Sequence, residues 1–420
     1  MLCQFTFWNY KPYRDEVTLD LCPARITEHE DRLIVEPITK ERFLPLAVIY
    51  GPNGGGKSAV IDSYRFLRDK VLEFALNPGL LTNQSNGEQK TNGNILKTRF
   101  NDNISFKFDN DSVDSPSGWK ISFITAGYEY KYTLVIGINE IVEESLYARE
   151  LKTGNIETLF ERGDDIILGD SLKDVNLGRI SARLPLLSFI GFIYDYEHTK
   201  NVKTWFEDTQ VFDYGSSINT IVERSIQIPK STDKKNEFFS LLNSMGIEIN
   251  DFQVLKDSNG EVQKMFSLYR HNDTEVLIDF NLESSGTRKV FSLLVPVMQT
   301  IQDGRTIFID ELDAKLHPKL LEFIISLFTN KNVNKNGAQL IITSHDLHTL
   351  NSEFLRRDEI WFAAKREDFS SYLYSLSDFK KISSNGKQPR KDENYAKQYI
   401  EGRYGADPYF QRLENWTVTT

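Results

Sequence analysis

Eight residues, Gly51-Pro-Asn-Gly-Gly-Gly-Lys57-Ser58, constrain this chain more than anything else in it. Before them stands an all-apolar run, Leu46-Ala-Val-Ile-Tyr50. After them Ala59 to Leu67 carries apolar residues at helical spacing. An uninterrupted apolar run reads as a strand covered on both faces, so the segment predicts strand, glycine turn and helix within a parallel sheet. In such a turn the backbone N–H groups of Asn53, Gly54, Gly55, Gly56, Lys57, Ser58 and Ala59 point inward and wrap phosphate oxygens. Lys57 neutralises the β and γ phosphates, and the Ser58 hydroxyl is placed to hold Mg²⁺, a hard cation that takes oxygen ligands. A plain glycine turn is the competing reading, and the flanking strand and helix weigh against it.

Two later segments supply the rest of a hydrolytic site. The apolar strand Thr306 to Ile309 delivers Asp310 and Glu311 to its C-terminal end, the edge where open parallel sheets bind ligands. Asp310 suits the Mg²⁺ shell, and Glu311 suits a general base that orients and deprotonates water for attack on the γ phosphate. His345 follows the strand Gln339 to Thr343 and so reaches the same edge, where it would sense and polarise the terminal phosphate. Ser284, Ser285 and Gly286 open the preceding helix, where backbone amides can approach an anion, although simple N-capping explains the serines equally well.

Composition bounds the alternatives. The 420 residues are 40% apolar and 26% charged, a globular balance, with a net charge of −10 that opposes a uniformly basic nucleic-acid binder. Cys3 and Cys22 give neither a disulfide framework nor a zinc spacing, and no signal peptide or bilayer-length apolar run is read, so the expectation is a cytoplasmic protein with no membrane partner. HExxH, paired CxxC and GxSxG arrangements are absent, so zinc-peptidase and serine-hydrolase readings have no support, and the absence of Asn-Lys-x-Asp favours ATP over GTP. Asp195, Glu197 and Lys200 faintly echo a nuclease core and read better as an ordinary helix end.

The fold class predicted is α/β with a mixed, mainly parallel sheet, an antiparallel β-subdomain and a helical insertion. Residues 1–160 hold an N-terminal hairpin (Leu2 to Trp8 and Val17 to Leu21), the phosphate loop, a polar loop from Thr82 to Lys97, and strands at Asn103 to Asp109, Trp119 to Ala126 and Glu129 to Gly137. Between the first two strands a turn-forming Asp/Ser/Pro/Gly cluster is read. Residues 161–265 read as a mainly helical insertion, 266–380 as the half with Asp310, Glu311 and His345, and 381–420 as linker, closing helix and tail.

Taken in order, the phosphate loop, Ser284 to Arg288, Asp310-Glu311 and His345 resemble the ATP-binding-cassette ATPases of the SMC and RecF kind. That resemblance implies a head-to-tail dimer, or a higher oligomer, with two ATP molecules at the interface and Ser284, Ser285 and Gly286 acting in trans. It also implies that Lys11, in Asn9-Tyr-Lys-Pro-Tyr13, approaches nucleotide and that Leu312 to Pro318 couples the two sites. Asp310 to Pro318, Leu355 to Phe362 and Tyr399 to Gly405 look like the compact bacterial AAA "ATP/GTP phosphatase" proteins, related to the overcoming-lysogenization-defect ATPases and found in abortive-infection, Septu, PARIS and retron-linked modules. An anti-phage role with a nuclease or toxin partner is implied by that resemblance alone. DNA or RNA stays open as a partner, as do a RecF-like repair clamp, an ATP-bound scaffold and a nucleotide-depleting effector. Two features depart from the pattern. No Q-loop glutamine is identifiable, Gln84 and Gln89 lying in the polar loop, and the 75 residues after His345 leave no room for a Toprim nuclease.

Overall fold

The computed structural model describes residues 1–73, 104–178, 180–213, 232–256, 262–272, 274–314, 316–379 and 393–406. The first part of the chain runs β1 (Leu2–Trp8), β2 (Val17–Asp20), β3 (Ile34–Val35), β4 (Arg42–Phe43), β5 (Leu46–Tyr50), α1 (Lys57–Val71), α2 (Asn110–Asp114) and β6 (Ser117–Thr125). Next come β7 (Tyr128–Ile136), β8 (Ile141–Glu150), β9 (Ile156–Arg162), β10 (Ile166–Leu168), α3 (Leu186–Ile193), α4 (Glu197–Asp208), β11 (Gln210–Asp213), α5 (Thr232–Ser244) and β12 (Asp251–Lys256). The last part holds β13 (Val262–His271), β14 (Thr274–Asp279), α6 (Ser285–Asp303), β15 (Thr306–Asp310), α7 (Pro318–Thr329), β16 (Gln339–Thr343), β17 (Ile360–Lys365), β18 (Ser371–Ser375) and α8 (Tyr395–Ile400).

The central sheet has the order β11-β15-β16-β5-β17-β18, parallel except for the antiparallel β18. The inner strands β15, β16, β5 and β17 are largely apolar on both faces because both faces are covered. Ala47, Ile49, Phe308 and Ile341 pack with α1 and α4, whereas the alternate residues Leu46, Val48, Ile307, Ile309 and Leu340 pack with α6 and α7. A seven-stranded antiparallel sheet, β10-β9-β8-β7-β6-β1-β2, closes over α1 and α4. Aromatic stacking fastens the layers: Phe123 of the antiparallel sheet lies 3.9 Å from Trp205 of α4 between ring centroids, and Tyr64 of α1 lies 4.1 Å from Phe308 of the central sheet. Burying rings of this size contributes to the cohesion of these layers. A smaller core joins α5 and α6 to the three-stranded sheet β12-β13-β14 through Phe238, Phe252, Phe280 and Phe291.

Glu144 and Gln339 are buried polar groups that find partners inside this core. The fully buried Glu144 carboxylate accepts the Leu186 and Leu187 N–H groups and the Tyr132 hydroxyl, meeting donors that the first turn of α3 cannot satisfy itself. Gln339 bridges the two large sheets. Its carbonyl accepts the Leu2 N–H at 2.6 Å, and its amide donates to the carbonyls of Leu2 and Leu44 at 3.0 and 3.1 Å.

Several expectations change. Residues 104–109 are not a strand, because their backbone is engaged elsewhere: the Lys11 N–H donates to Ile104 O, and the Phe106 N–H to the Asn9 side chain. The cluster after it is not only a turn, since Asp109 caps the short α2. Residues 161–265, read as mainly helical, also supply β10, β11 and β12, and β11 becomes an edge strand of the parallel sheet itself. Residue 265 lies within β13. Thr82 to Lys97, with Gln84 and Gln89, and residues 380–392 of the C-terminal linker lie outside the described residues. Among the described residues no helix is long and apolar enough to cross a membrane.

Candidate functional site

The turn between β5 and α1 is held against the end of β17. Gly51 has φ 153°, and a Cβ there would sit 2.2 Å from the Ala363 carbonyl oxygen, so no other residue fits. Gly56 is left-handed at φ 104° and stands at the N-cap of α1 without offering a side-chain cap. The first turn of α1 therefore has no side-chain cap at the positive end of the helix dipole, an arrangement that accepts an anion. Asn53, Gly54 and Ser58 are exposed, and the Ala59 N–H turns back to Gly56 O at 3.1 Å. Lys57 is 5% exposed and donates to the carbonyls of Gly51 and Pro52 at 2.8 and 3.0 Å. Burial lowers its pKa to about 8, against the opposing pull of Asp310, Asp313 and Glu311.

β15 and β16 run side by side in parallel, so their ends bring Asp310 and Thr343 to one edge. The Thr343 hydroxyl donates to Asp310 Oδ1 at 2.5 Å and accepts the Glu311 N–H at 2.8 Å. Glu311 has φ 52°, a left-handed conformation that costs a non-glycine residue on the order of 1 kcal/mol and is typical of functional turns. The His345 N–H donates to Asp313 Oδ2 at 2.9 Å, and the Leu312 N–H to Thr343 O at 3.3 Å. Burial, then the Lys57 ammonium, holds the His345 pKa below the ordinary histidine value, so the ring is neutral at pH 7 and offers an N–H rather than a charge.

Lys57, Asp310, Glu311 and His345, drawn from three separate stretches of sequence, thus lie within electrostatic reach of one another. The donors also suit the groups they would hold. An uncapped helix end and a buried ammonium match a triphosphate, while the Ser58 hydroxyl and Asp310 carboxylate are the hard oxygens that Mg²⁺ prefers. Lys11 lies in the turn after β1. Its ammonium is paired with Asp62 of α1, although the same turn reaches the phosphate loop through the Tyr13 hydroxyl, which donates to Gly56 O at 3.2 Å. Ser284 and Ser285 are exposed at the start of α6, and Ser284 accepts the Thr287 N–H at 3.0 Å. Among the described residues no hydrogen bond or ion pair ties Ser284, Ser285 or Gly286 to the phosphate loop.

Two residues escaped the sequence reading. Thr343 was visible only as the last residue of a strand, and its double bonding to Asp310 and Glu311 needs the neighbouring strand to be known. Asp213 ends β11 in register with Asp310, which adds an exposed carboxylate at the same sheet edge.

A family model described as "AAA domain, putative AbiEii toxin, Type IV TA system" matches residues 46–351. Among curated proteins none matches the chain. Matching solved structures include cbiO1 from Clostridium perfringens, part of the ABC transporter complex cbiONQ, at 14% identity and a TM-score of 0.21; the match covers 40% of this chain and 58% of that one.

Proposed function

Because the chain belongs to this AAA-domain family and is of the P-loop ATPase class, we propose that it hydrolyses ATP at the edge formed by Lys57, Asp310, Glu311 and His345. The observation that carries this reading is the convergence of an ammonium, paired acids and a neutral imidazole at the mouth of an uncapped helix. The N–H groups of residues 53–59 and the Lys57 ammonium bind and orient the β and γ phosphates. Mg²⁺, held by Ser58 and Asp310, supplies charge neutralisation across those phosphates when bound. Glu311 accepts a proton from the attacking water, the bond from that oxygen to γ phosphorus forms as the β–γ bridge breaks, and ADP leaves with the electron pair. His345 donates its N–H to the γ phosphate as charge builds there. Thr343 fixes the spacing between the acid that faces the metal and the one that faces the water.

The exposed start of α6 supports a second element of the proposal. Ser284, Ser285 and Gly286 engage the nucleotide of a second copy, so that ATP closes a dimer and hydrolysis reopens it. The family description names an AbiEii toxin and a toxin–antitoxin system, which supports a role as the ATPase subunit of an anti-phage module that governs a nuclease or toxin partner.

Glu311→Gln tests the core of this reading. The variant should bind ATP while turnover falls at least about a hundredfold, in the range that general-base removal costs, and its mass by light scattering should double with ATP and Mg²⁺. Wild-type turnover would remove Glu311 from the role, and an unchanged mass would remove the ATP-gated dimer. Efficiency of phage plating on cells carrying this variant or the wild type then tests the defence role.

A further inference from the structure

The seven-stranded antiparallel sheet has two ends, and among the described residues only one of them is covered. At the first end β2 lies against β18, and the adjoining turns are tied by Arg366–Asp15 at 2.7 Å and by the Ser371 N–H, which donates to Pro12 O at 2.6 Å. β10 forms the other end, with β9 as its neighbour on one side only. In that ladder the Gly163 N–H donates to Asp165 O at 3.0 Å and the Gly169 N–H to Leu159 O at 2.8 Å. Bonded pairs recur at every second residue of an antiparallel ladder, so residues 165, 167 and 169 face β9 while Ile166 and Leu168 turn their N–H and C=O groups outward. Among the described residues no hydrogen bond meets those four groups.

The side chains of this edge are as open as its backbone. Ile166 is 37% exposed and Ile167 60%, and Ile166-Ile167-Leu168 holds neither the lysine nor the proline that commonly guards a free edge. Ile166 and the 40%-exposed Val142 line a groove of about 360 Å³, together with Glu140, Arg162 and Asp164. Arg162 is already engaged, since its buried guanidinium donates to the carbonyls of Leu184 and Ala182 beside Glu144. Glu140 and Asp164 are exposed and make the mouth of the groove negative. Asp165 and Asp170, also exposed, extend that sign along the strand, with Lys173 beyond them.

We propose that β10 is the docking edge for an extended segment of a partner protein, in which apolar residues alternate with basic ones, and that this segment adds an eighth strand to the sheet. The N–H and C=O groups of Ile166 and Leu168 pair with the incoming backbone and supply affinity. Side chains of a strand alternate between faces, so the apolar residues cover Ile167 while a lysine or arginine enters the groove beside Ile166. There its stem lies on Val142 and Ile166 and its charge meets Glu140 and Asp164, which supplies selectivity. A second copy fits this edge poorly. Antiparallel pairing of two β10 strands brings Asp164 and Asp165 of each toward Asp170 of the other, and like charges placed opposite one another destabilise a ladder. The edge lies at the opposite end of the sheet from the turn that reaches the phosphate loop, so an added strand leaves that loop open.

Selection of a displayed library of random peptides on the full chain tests the edge. Enriched sequences should alternate apolar and basic residues, and amide exchange of β10, followed by mass spectrometry, should slow when the best peptide is added. By fluorescence anisotropy that peptide, labelled, should bind at least about tenfold more weakly to Ile166→Pro, which removes one outward N–H and no ladder bond, and to Asp164→Lys, which reverses a charge at the groove. ATP turnover should be unchanged in both variants. If Ile166→Pro disturbs its hairpin and lowers the melting temperature, Asp164→Lys, on the exposed turn, decides. Wild-type affinity in Asp164→Lys or in a folded Ile166→Pro overturns the proposal, as does a library that yields no binder or binders without basic residues. Concentration-dependent dimerisation without nucleotide, seen by light scattering and abolished by Ile166→Pro, overturns it in favour of a second copy.

Discussion

The starts of α1 and α6 are both glycine-bearing helix ends, yet the chain treats them in opposite ways. At α1 the glycines are demanded by their own surroundings: Gly51 abuts the Ala363 carbonyl, and Gly56, wedged between Ser371 and Tyr13, leaves the helix end uncapped. At α6 the end is capped by its own Ser284, and a Cβ on Gly286 would meet nothing closer than 3.8 Å. The first helix end is a cradle complete within one chain. The second contains a glycine that the packing of its own chain does not demand.

Substitution of the two glycines sharpens that contrast. Gly51→Ala forces a methyl into a backbone carbonyl at an unfavourable φ, and should cost about 3–5 kcal/mol, a fall of roughly 5–10 °C in melting temperature by calorimetry. Gly286→Ala should leave the melting temperature level or slightly higher, because alanine favours a helix by about 0.5–1 kcal/mol, while ATP turnover and ATP-driven mass increase fall about tenfold or more. Equal turnover in Gly286→Ala would break the comparison by leaving that glycine with no role in either setting.

A smaller effect tests the cradle through Lys57, whose pKa is about 8 in the folded protein against an ordinary 10.5. Between those values the unfolded chain binds more protons, so the stability of the nucleotide-free protein should rise as pH climbs from about 8 toward 10.5. Phosphate needs the charged form, so ATP affinity should fall over the same window by at most tenfold per pH unit, with proton uptake on binding seen by calorimetry in buffers of different ionisation enthalpy. A flat affinity profile would mean that Lys57 does not carry the phosphate charge.

What the sequence made legible follows from how local each signal is. The strand, loop and helix at residues 46–71 read correctly because apolar run, glycine turn and helical spacing are adjacent. So did β15 and β16 with Asp310, Glu311 and His345 at their ends, since a strand end is marked where the apolar run stops. Residues 104–109 misled because their alternation resembles a strand, while the bonds that decide their conformation come from Asn9 and Lys11, almost a hundred residues earlier. β11 was hidden for the same reason. Four residues become a strand only because β15 offers them a ladder. Thr343 and Asp213 join the site by register between strands, which no spacing along one chain encodes.

The bridge made by Gln339 joins residues 337 apart, and it sets a timetable for synthesis. β5 has its two ladder partners in β16 and β17, and Gly51 leans on Ala363, so the phosphate cradle has no walls until the ribosome has delivered most of the chain. At elongation speeds of about 5–20 residues per second the first strand waits on the order of 20–70 s for its glutamine. Throughout that wait an all-apolar strand stands unpaired, a burden that falls to chaperones. The same delay acts as quality control: a prematurely terminated chain cannot form the cradle.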